Sequence, residues 1–121
     1  MKDDKKIPDD RRISTRVDSG NLVSHRQVEE SDPNRTLGLS VTLDINEFGM
    51  RLQATEPMGL GERYRFSVAI GDELVEVVGQ VVHVNRALNG TFEMGVEILE
   101  ISAKNIERLK AHAAASRVRP L

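Results

Sequence analysis

The chain has 121 residues, with 17 basic and 19 acidic side chains, a net charge of −2 and no cysteine. This length suits one domain with a modest core, and the lack of cysteine excludes disulfide frameworks, thiolate metal sites and cysteine nucleophiles. A duplex nucleic-acid binder is normally strongly basic, so we expect no DNA or RNA partner.

The N-terminal residues 1–10 are charged and almost free of apolar side chains, which is typical of a flexible tail. They hold no apolar stretch of the kind that forms a secretory signal, and the chain nowhere reaches the ~18 apolar residues that a membrane span needs. We therefore expect a cytoplasmic protein without membrane insertion. Its single domain is predicted at residues 11–116, followed by a short tail at 117–121.

Three arginines lie within six positions directly after this tail: Arg11, Arg12 and Arg16. A guanidinium can pair bidentately with a phosphate and can also stack on a base. The cluster therefore favours an anionic nucleotide ligand. The alternative interpretation of the cluster is a solvated run of charges that balances the neighbouring aspartates.

From Val17 onward the pattern is that of an all-β domain, in which short segments of alternating polarity are separated by glycine, proline and asparagine turns. Gly71-Asp72 predicts a tight hairpin, and Gly79 predicts a bulge or sharp bend within a long strand. The aromatic residues are expected mainly in the core, with Phe48 the one that could be exposed. Strands are predicted near residues 22–28 and at 36–43, 50–54, 64–70, 74–84 and 92–98.

The segment between the second and third strands carries the second polar motif. Asp44 and Asn46 place two small polar side chains on one side of a turn that Gly49 closes. Together they offer hydrogen-bond acceptors and a donor. A purely structural interpretation exists too, because Asp and Asn favour turns and Gly49 could supply a positive φ.

Ser102 predicts a helix N-cap, and Ile106, Leu109 and Ala113 follow at helical spacing, so the last element is a helix over residues 102–117. The predicted fold is a small six-stranded antiparallel β-barrel with this C-terminal helix against one opening.

The sequence has no pattern of catalytic machinery. The histidines at positions 25, 83 and 112 lack metal-ligand spacing, and no serine stands in a nucleophile-elbow context. We therefore expect neither an enzyme nor a metal site. His83 is interpreted as a half-exposed strand residue, with a place at the mouth of a ligand site as the alternative.

An arginine arm followed by such a turn resembles the PilZ domain, a bacterial module that carries an RxxxR arm and a D/N-x-S-x-x-G turn leading into a strand. Arg12 and Arg16 match the arm, and Asp44, Asn46 and Gly49 match the turn. The resemblance continues through the later strands to the terminal helix and covers about residues 10–115.

The resemblance implies a receptor for cyclic di-GMP that needs no other cofactor. Arg12 and Arg16 would contact the phosphates and the guanine edges, while Asp44 and Asn46 would hydrogen-bond a guanine beside Gly49. Arg11 would serve a second, stacked ligand molecule. The serine usual in the family is replaced here by asparagine, which keeps a donor and an acceptor on a longer, planar group.

The predicted function is a receptor or adaptor whose arm becomes ordered over the barrel when ligand binds. It would signal to a partner protein that the sequence does not identify, or through a homodimer. One alternative is a degenerate PilZ-fold adaptor that acts through protein contacts without nucleotide, since Asn46 departs from the motif. The other is a barrel that binds single-stranded nucleic acid, for which one Tyr, three Phe and no Trp offer few stacking rings.

Overall fold

The computed structural model describes residues 20–32 and 34–117. Within these residues it contains six strands and one helix in an order that matches the prediction. The elements are β1 Leu22–Arg26, β2 Gly38–Ile45, β3 Gly49–Ala54, β4 Arg63–Ile70, β5 Glu73–Arg86, β6 Phe92–Ile101 and α1 Ala103–Arg117.

The six strands form a closed barrel in the order β1-β2-β3-β6-β5-β4, and every pair is antiparallel. Alternate side chains of each strand point inward and fill the barrel, as period-two alternation requires. Leu52, Phe66 and Met94 are the largest side chains of this core, and each is fully buried. The predicted six-stranded antiparallel barrel is confirmed.

Two predicted turns have the backbone that their sequences require. The β4–β5 hairpin has a two-residue turn in which Gly71 has φ +61°, and Gly90 has φ +87° in the β5–β6 turn. Both values lie in the left-handed region, where a side chain would be strained.

Strand β5 departs from regular pairing at the predicted position. Its register with β6 shifts between Val78 and Gly79, so the predicted irregularity is confirmed. A Cβ atom on Gly79 would lie 2.6 Å from Val96 Cγ1 and 3.3 Å from Phe66 Cε2. Glycine is therefore required because two core side chains occupy the space over this position.

The terminal helix begins at an N-cap and is fixed to the barrel by a buried leucine and by an ion pair with β5. The Asn105 backbone N–H donates to Ser102 Oγ at 3.1 Å, which confirms the predicted N-cap. Leu109 is 1% exposed within the barrel core, and Arg108 Nε lies 2.8 Å from Glu73 Oε1. The helix thus extends the core beyond the strands.

The structure corrects some details of the prediction. Asp44 lies within β2 rather than in the turn, and Val28 lies in a turn after β1. Phe48 is the aromatic residue that the sequence left open to exposure, and 75% of its surface is exposed. The tail at 1–10 and residues 118–121 lie outside the described residues, so the proposed domain limits stay a prediction. No helix in the described ranges is long and apolar enough to cross a membrane.

Candidate functional site

An open cavity of about 390 Å³ lies on the outside of the barrel, where β2, β3, β5 and β6 meet. Asp44, Asn46 and Gly49, the three turn residues predicted as a site, all contribute to its wall. The structure therefore brings together the polar turn and two strands that are distant in sequence. The full lining is Asp44, Asn46, Phe48, Gly49, Met50, Arg51, Val82, His83, Gly95, Val96 and Glu97.

Asn46 uses one end of its side chain to build the turn. Its Oδ1 accepts the backbone N–H of Phe48 at 2.8 Å and that of Gly49 at 3.1 Å, and its own N–H donates to the Gly49 carbonyl at 2.9 Å. Because both side-chain partners are N–H donors, the atom facing them must be the amide oxygen. The amide nitrogen, with two N–H donors, has no hydrogen-bond partner within residues 20–32 and 34–117.

Gly49 is required by a close approach of strands, and the suggestion that it supplies a positive φ is wrong. Its backbone is not in the left-handed region. A Cβ atom at this position would lie 2.7 Å from the Val96 carbonyl oxygen of β6. A backbone atom cannot yield as a flexible side chain does, so any other residue would push β3 away from β6 at the cavity wall.

Asp44 is directed outward by an irregularity in β2. The β2–β3 register shifts between Thr42 and Asp44, so Leu43 is an extra residue, and Ile45 returns to the core. The Asp44 carboxylate then meets its cross-strand neighbour, accepting from Arg51 Nε at 2.9 Å. This ion pair orients a carboxylate acceptor at the cavity.

Arg51 is held from both sides. Besides Asp44, its Nη1 lies 3.6 Å from Glu93 Oε1 on β6. All three side chains are partly exposed, so the pairing contributes little to folding and more to orientation.

His83 lies in the cavity wall opposite the polar turn. The sequence indicated this position only as the alternative to a half-exposed strand residue. Both descriptions hold, since the side chain is exposed and also lines the cavity. His83 pairs with Gly95, and a Cβ on that glycine would lie 2.4 Å from His83 Nε2. The imidazole therefore rests directly on the bare backbone of β6.

The described wall carries two carboxylates, Asp44 and Glu97, against one guanidinium, Arg51. It therefore does not by itself favour an anionic ligand. Cations for such a ligand would have to come from elsewhere in the chain. The predicted arm residues Arg11, Arg12 and Arg16 lie outside the described residues.

The described chain nevertheless begins beside the site. The Gly20 N–H donates to the Thr42 carbonyl at 3.2 Å, and the Asn21 N–H donates to Thr42 Oγ1 at 3.0 Å. Asn21 also donates from Nδ2 to the Ala69 carbonyl at 2.8 Å. These bonds anchor the chain to β2 two residues before Asp44.

Sequence reasoning did not assign Arg51, Val82, Gly95 or Glu97 to the site. Arg51 follows the turn on β3, while Val82, Gly95 and Glu97 reach the cavity only through pairing between strands that are distant in the chain. The one available signal was a histidine within the valine-rich segment of β5. No cluster of three or more potential metal-ligating side chains occurs in the part of the chain that the structure describes.

Comparisons with known proteins agree with this architecture. The PilZ domain profile matches residues 10–115. Among solved structures, the Bacillus subtilis inhibitor of motility (MotI/DgrA) superposes with a TM-score of 0.67 at 18% sequence identity. The alignment covers 88% of this chain and 51% of that one, and at this identity the likeness concerns the fold alone. A search of curated proteins found no match.

The fold and the site define a small β-barrel module with a cavity at a strand turn, lined by both polar and apolar residues. Because the profile covers nearly the whole chain, the protein belongs to the PilZ domain family. This is a family of cyclic di-GMP-binding folds.

Proposed function

We propose that the protein is a non-enzymatic receptor for cyclic di-GMP. The observation that carries the proposal is the meeting of Asp44, Asn46 and Gly49 at the wall of one cavity in a PilZ domain. The cavity volume of about 390 Å³ lies within the range of small-molecule sites.

Asp44 and Asn46 would contact different atoms of one guanine base. The Asp44 carboxylate is an acceptor and suits the N–H groups on the edge of guanine. Asn46 has committed its oxygen to the turn, so its Nδ2 offers donors to an acceptor atom of the same base. An asparagine can therefore replace the usual serine, because the turn is kept and a donor remains.

The ligand phosphates are assigned to Arg12 and Arg16, with Arg11 for a second stacked molecule. Arg16 is four residues before Gly20, so their Cα atoms are at most about 14 Å apart. Gly20 is bonded to Thr42, and Asp44 lies about 7 Å farther along β2. The arm is thus covalently tethered within reach of the cavity, which raises its effective concentration there.

Ligand binding would order the arm over the cavity. Three guanidiniums close in sequence repel one another, and a ligand with two phosphates removes that repulsion while bridging arm and barrel. The ordered arm would form a new surface for a downstream protein or for a second copy of the chain.

The test is calorimetric titration of cyclic di-GMP into the wild type and an Arg12→Ala/Arg16→Ala variant. We expect micromolar or tighter binding by the wild type. Loss of two charge-assisted contacts should weaken it by roughly 10²- to 10⁴-fold. An Arg35→Ala/Arg63→Ala variant removes the same charge from exposed positions outside the cavity and should bind normally.

The alternative, an adaptor that acts through protein contacts without nucleotide, is supported by the exposed Phe48 at the cavity wall. The same titration separates the two functions. A wild type that gives no heat at high protein concentration would contradict the receptor proposal and favour the adaptor.

A further inference from the structure

The bulge in β5 gives His83 an orientation that regular alternation would not. Val81 is fully buried and Val84 packs against the core, so two residues stand between them instead of one. The register confirms this, since Val81 pairs with Val96 and His83 with Gly95, which leaves Val82 unpaired. Val82 and His83 are both exposed and both line the cavity. Bulges commonly re-aim side chains in this way next to binding sites.

The backbone of Gly95 provides the surface on which the His83 imidazole lies. An added Cβ at this glycine would lie 2.4 Å from Nε2, 2.7 Å from Cδ2 and 2.9 Å from Cε1 of His83. The ring thus lies on the glycine backbone with no side chain between them. Contact with a backbone surface restricts the ring before ligand arrives, so less side-chain freedom is lost on binding.

The fold itself does not account for this histidine. The His83 side chain is exposed and makes no hydrogen bond or ion pair within the described ranges. His25, by contrast, is buried against Tyr64 and Phe66 and serves as a core side chain. The bulge interrupts regular pairing in the β5–β6 ladder, and Gly95 leaves the space beside it without a side chain, so both place the His83 ring in the cavity wall.

We propose that His83 is a further ligand-contacting residue, whose ring packs against a base of the bound nucleotide. The inference rests on the proposed function, because it names a contact within the same site. Nucleotide bases stack readily on flat side chains, and Asp44 and Asn46 are proposed to bond the edge of a base rather than its face. The His83 ring supplies a planar surface across the cavity from them.

The experiment is calorimetric titration of cyclic di-GMP into His83→Ala and His83→Phe variants. We expect His83→Ala to weaken binding by roughly 5- to 30-fold, the lower part of the range for loss of one stacking contact. His83→Phe keeps a flat ring without its nitrogen atoms and should stay within about threefold of the wild type. Asn85→Ala, on the same strand, exposed and outside the cavity, is the matched control.

A second measurement tests the platform. Gly95→Ala should displace the ring and weaken binding in the wild-type background, but should add little in the His83→Ala background, where the methyl group has space. Such non-additivity would show that the glycine acts through the histidine. Melting temperatures of the wild type, Gly95→Ala, His83→Ala and the double variant verify that each protein is folded.

The outcomes distinguish this inference from the function on which it rests. No binding by the wild type would overturn both. Wild-type binding that depends on Arg12 and Arg16 but is unchanged in His83→Ala would overturn the inference alone. Equal losses in His83→Phe and His83→Ala would also overturn it, since the ring face would then not be the contact.

Discussion

Replacing Asn46 by aspartate separates the turn-forming role of this residue from its proposed ligand contact. The aspartate is nearly isosteric and keeps an oxygen where Oδ1 accepts the N–H groups of Phe48 and Gly49. Aspartate also favours this kind of turn. The substitution converts only the Nδ2 donor into an acceptor and adds one negative charge, so the barrel should keep its stability within about 0.5 kcal/mol.

Two effects on ligand affinity can be estimated from the cavity. Loss of the donor leaves two acceptors facing each other, which costs about 1–3 kcal/mol. A cavity of about 390 Å³ is about 7 Å across, and a unit charge repels an anion at that distance by about 0.6–2.4 kcal/mol for dielectric constants of about 80 to 20. We expect a total of about 2–4 kcal/mol, or a loss of roughly 30- to 1000-fold in affinity.

The assay is calorimetric titration of cyclic di-GMP at fixed salt, accompanied by thermal unfolding of each protein. Asn46→Ser provides the matched comparison, because a hydroxyl can accept the turn hydrogen bonds more weakly and still donate to a base. Its affinity should lie within about tenfold of the wild type. Asn46→Asp binding as tightly as the wild type would refute the assignment of Nδ2 to the ligand.

Three further predictions concern the wall of the cavity and the core behind it. Gly49→Ala should destabilise the barrel by about 1–3 kcal/mol, since its Cβ would meet the Val96 carbonyl at 2.7 Å, and an unchanged melting temperature would contradict this. Arg51→Met should weaken cyclic di-GMP binding about 5- to 30-fold, because the Asp44 carboxylate loses the ion pair that orients it. The same change should cost at most about 1 kcal/mol of folding stability, since the ion pair is exposed. Calorimetric titration measures the first effect and thermal unfolding the second. Burial lowers the pKa of His25 in the folded protein. As pH falls below about 6.5, the unfolded chain therefore takes up a proton before the folded protein does, and the free energy of unfolding decreases until pH reaches the folded-state pKa. Urea midpoints at pH 7 and pH 5 should show this decrease in the wild type and a smaller one in His25→Gln.

The fold was predictable because its signals are local. The alternation of Tyr64, Phe66 and Val68 specifies a strand with one buried face, and Gly71 specifies the turn that follows. Strand ends were less predictable, since pairing with a neighbour decides where a ladder stops. Asp44 and Ile45 continue β2 because they pair with Arg51 and Met50, which a short polar pattern does not reveal.

The lining of the cavity was predictable only where its residues lie in one short segment, at the end of β2 and in the turn to β3. Asp44, Asn46 and Gly49 lie within six positions, so a local motif brings them together. His83 and Gly95 meet through the β5–β6 ladder, and a bulge that the sequence does not signal decides which way the histidine faces. Regular alternation starting from Val81 would place His83 inside the barrel and Val84 outside it.

Two of the three register shifts in the described barrel lie at the cavity, while the third, at Gly79, lies outside its wall. The extra residues Leu43 and Val82 and the close approaches at Gly49 and Gly95 all lie in or next to its wall. Each interrupts pairing or packing that a regular barrel would keep, and conflicts between local rules and structure are expected at functional sites. The strands and the β2–β3 turn thus hold Asp44, Asn46 and His83, the groups that we propose to contact the base, while the phosphate contacts are proposed for the arm arginines. A receptor built in this way recognises the base before the arm closes, so loss of the arm should accelerate dissociation more than it slows association.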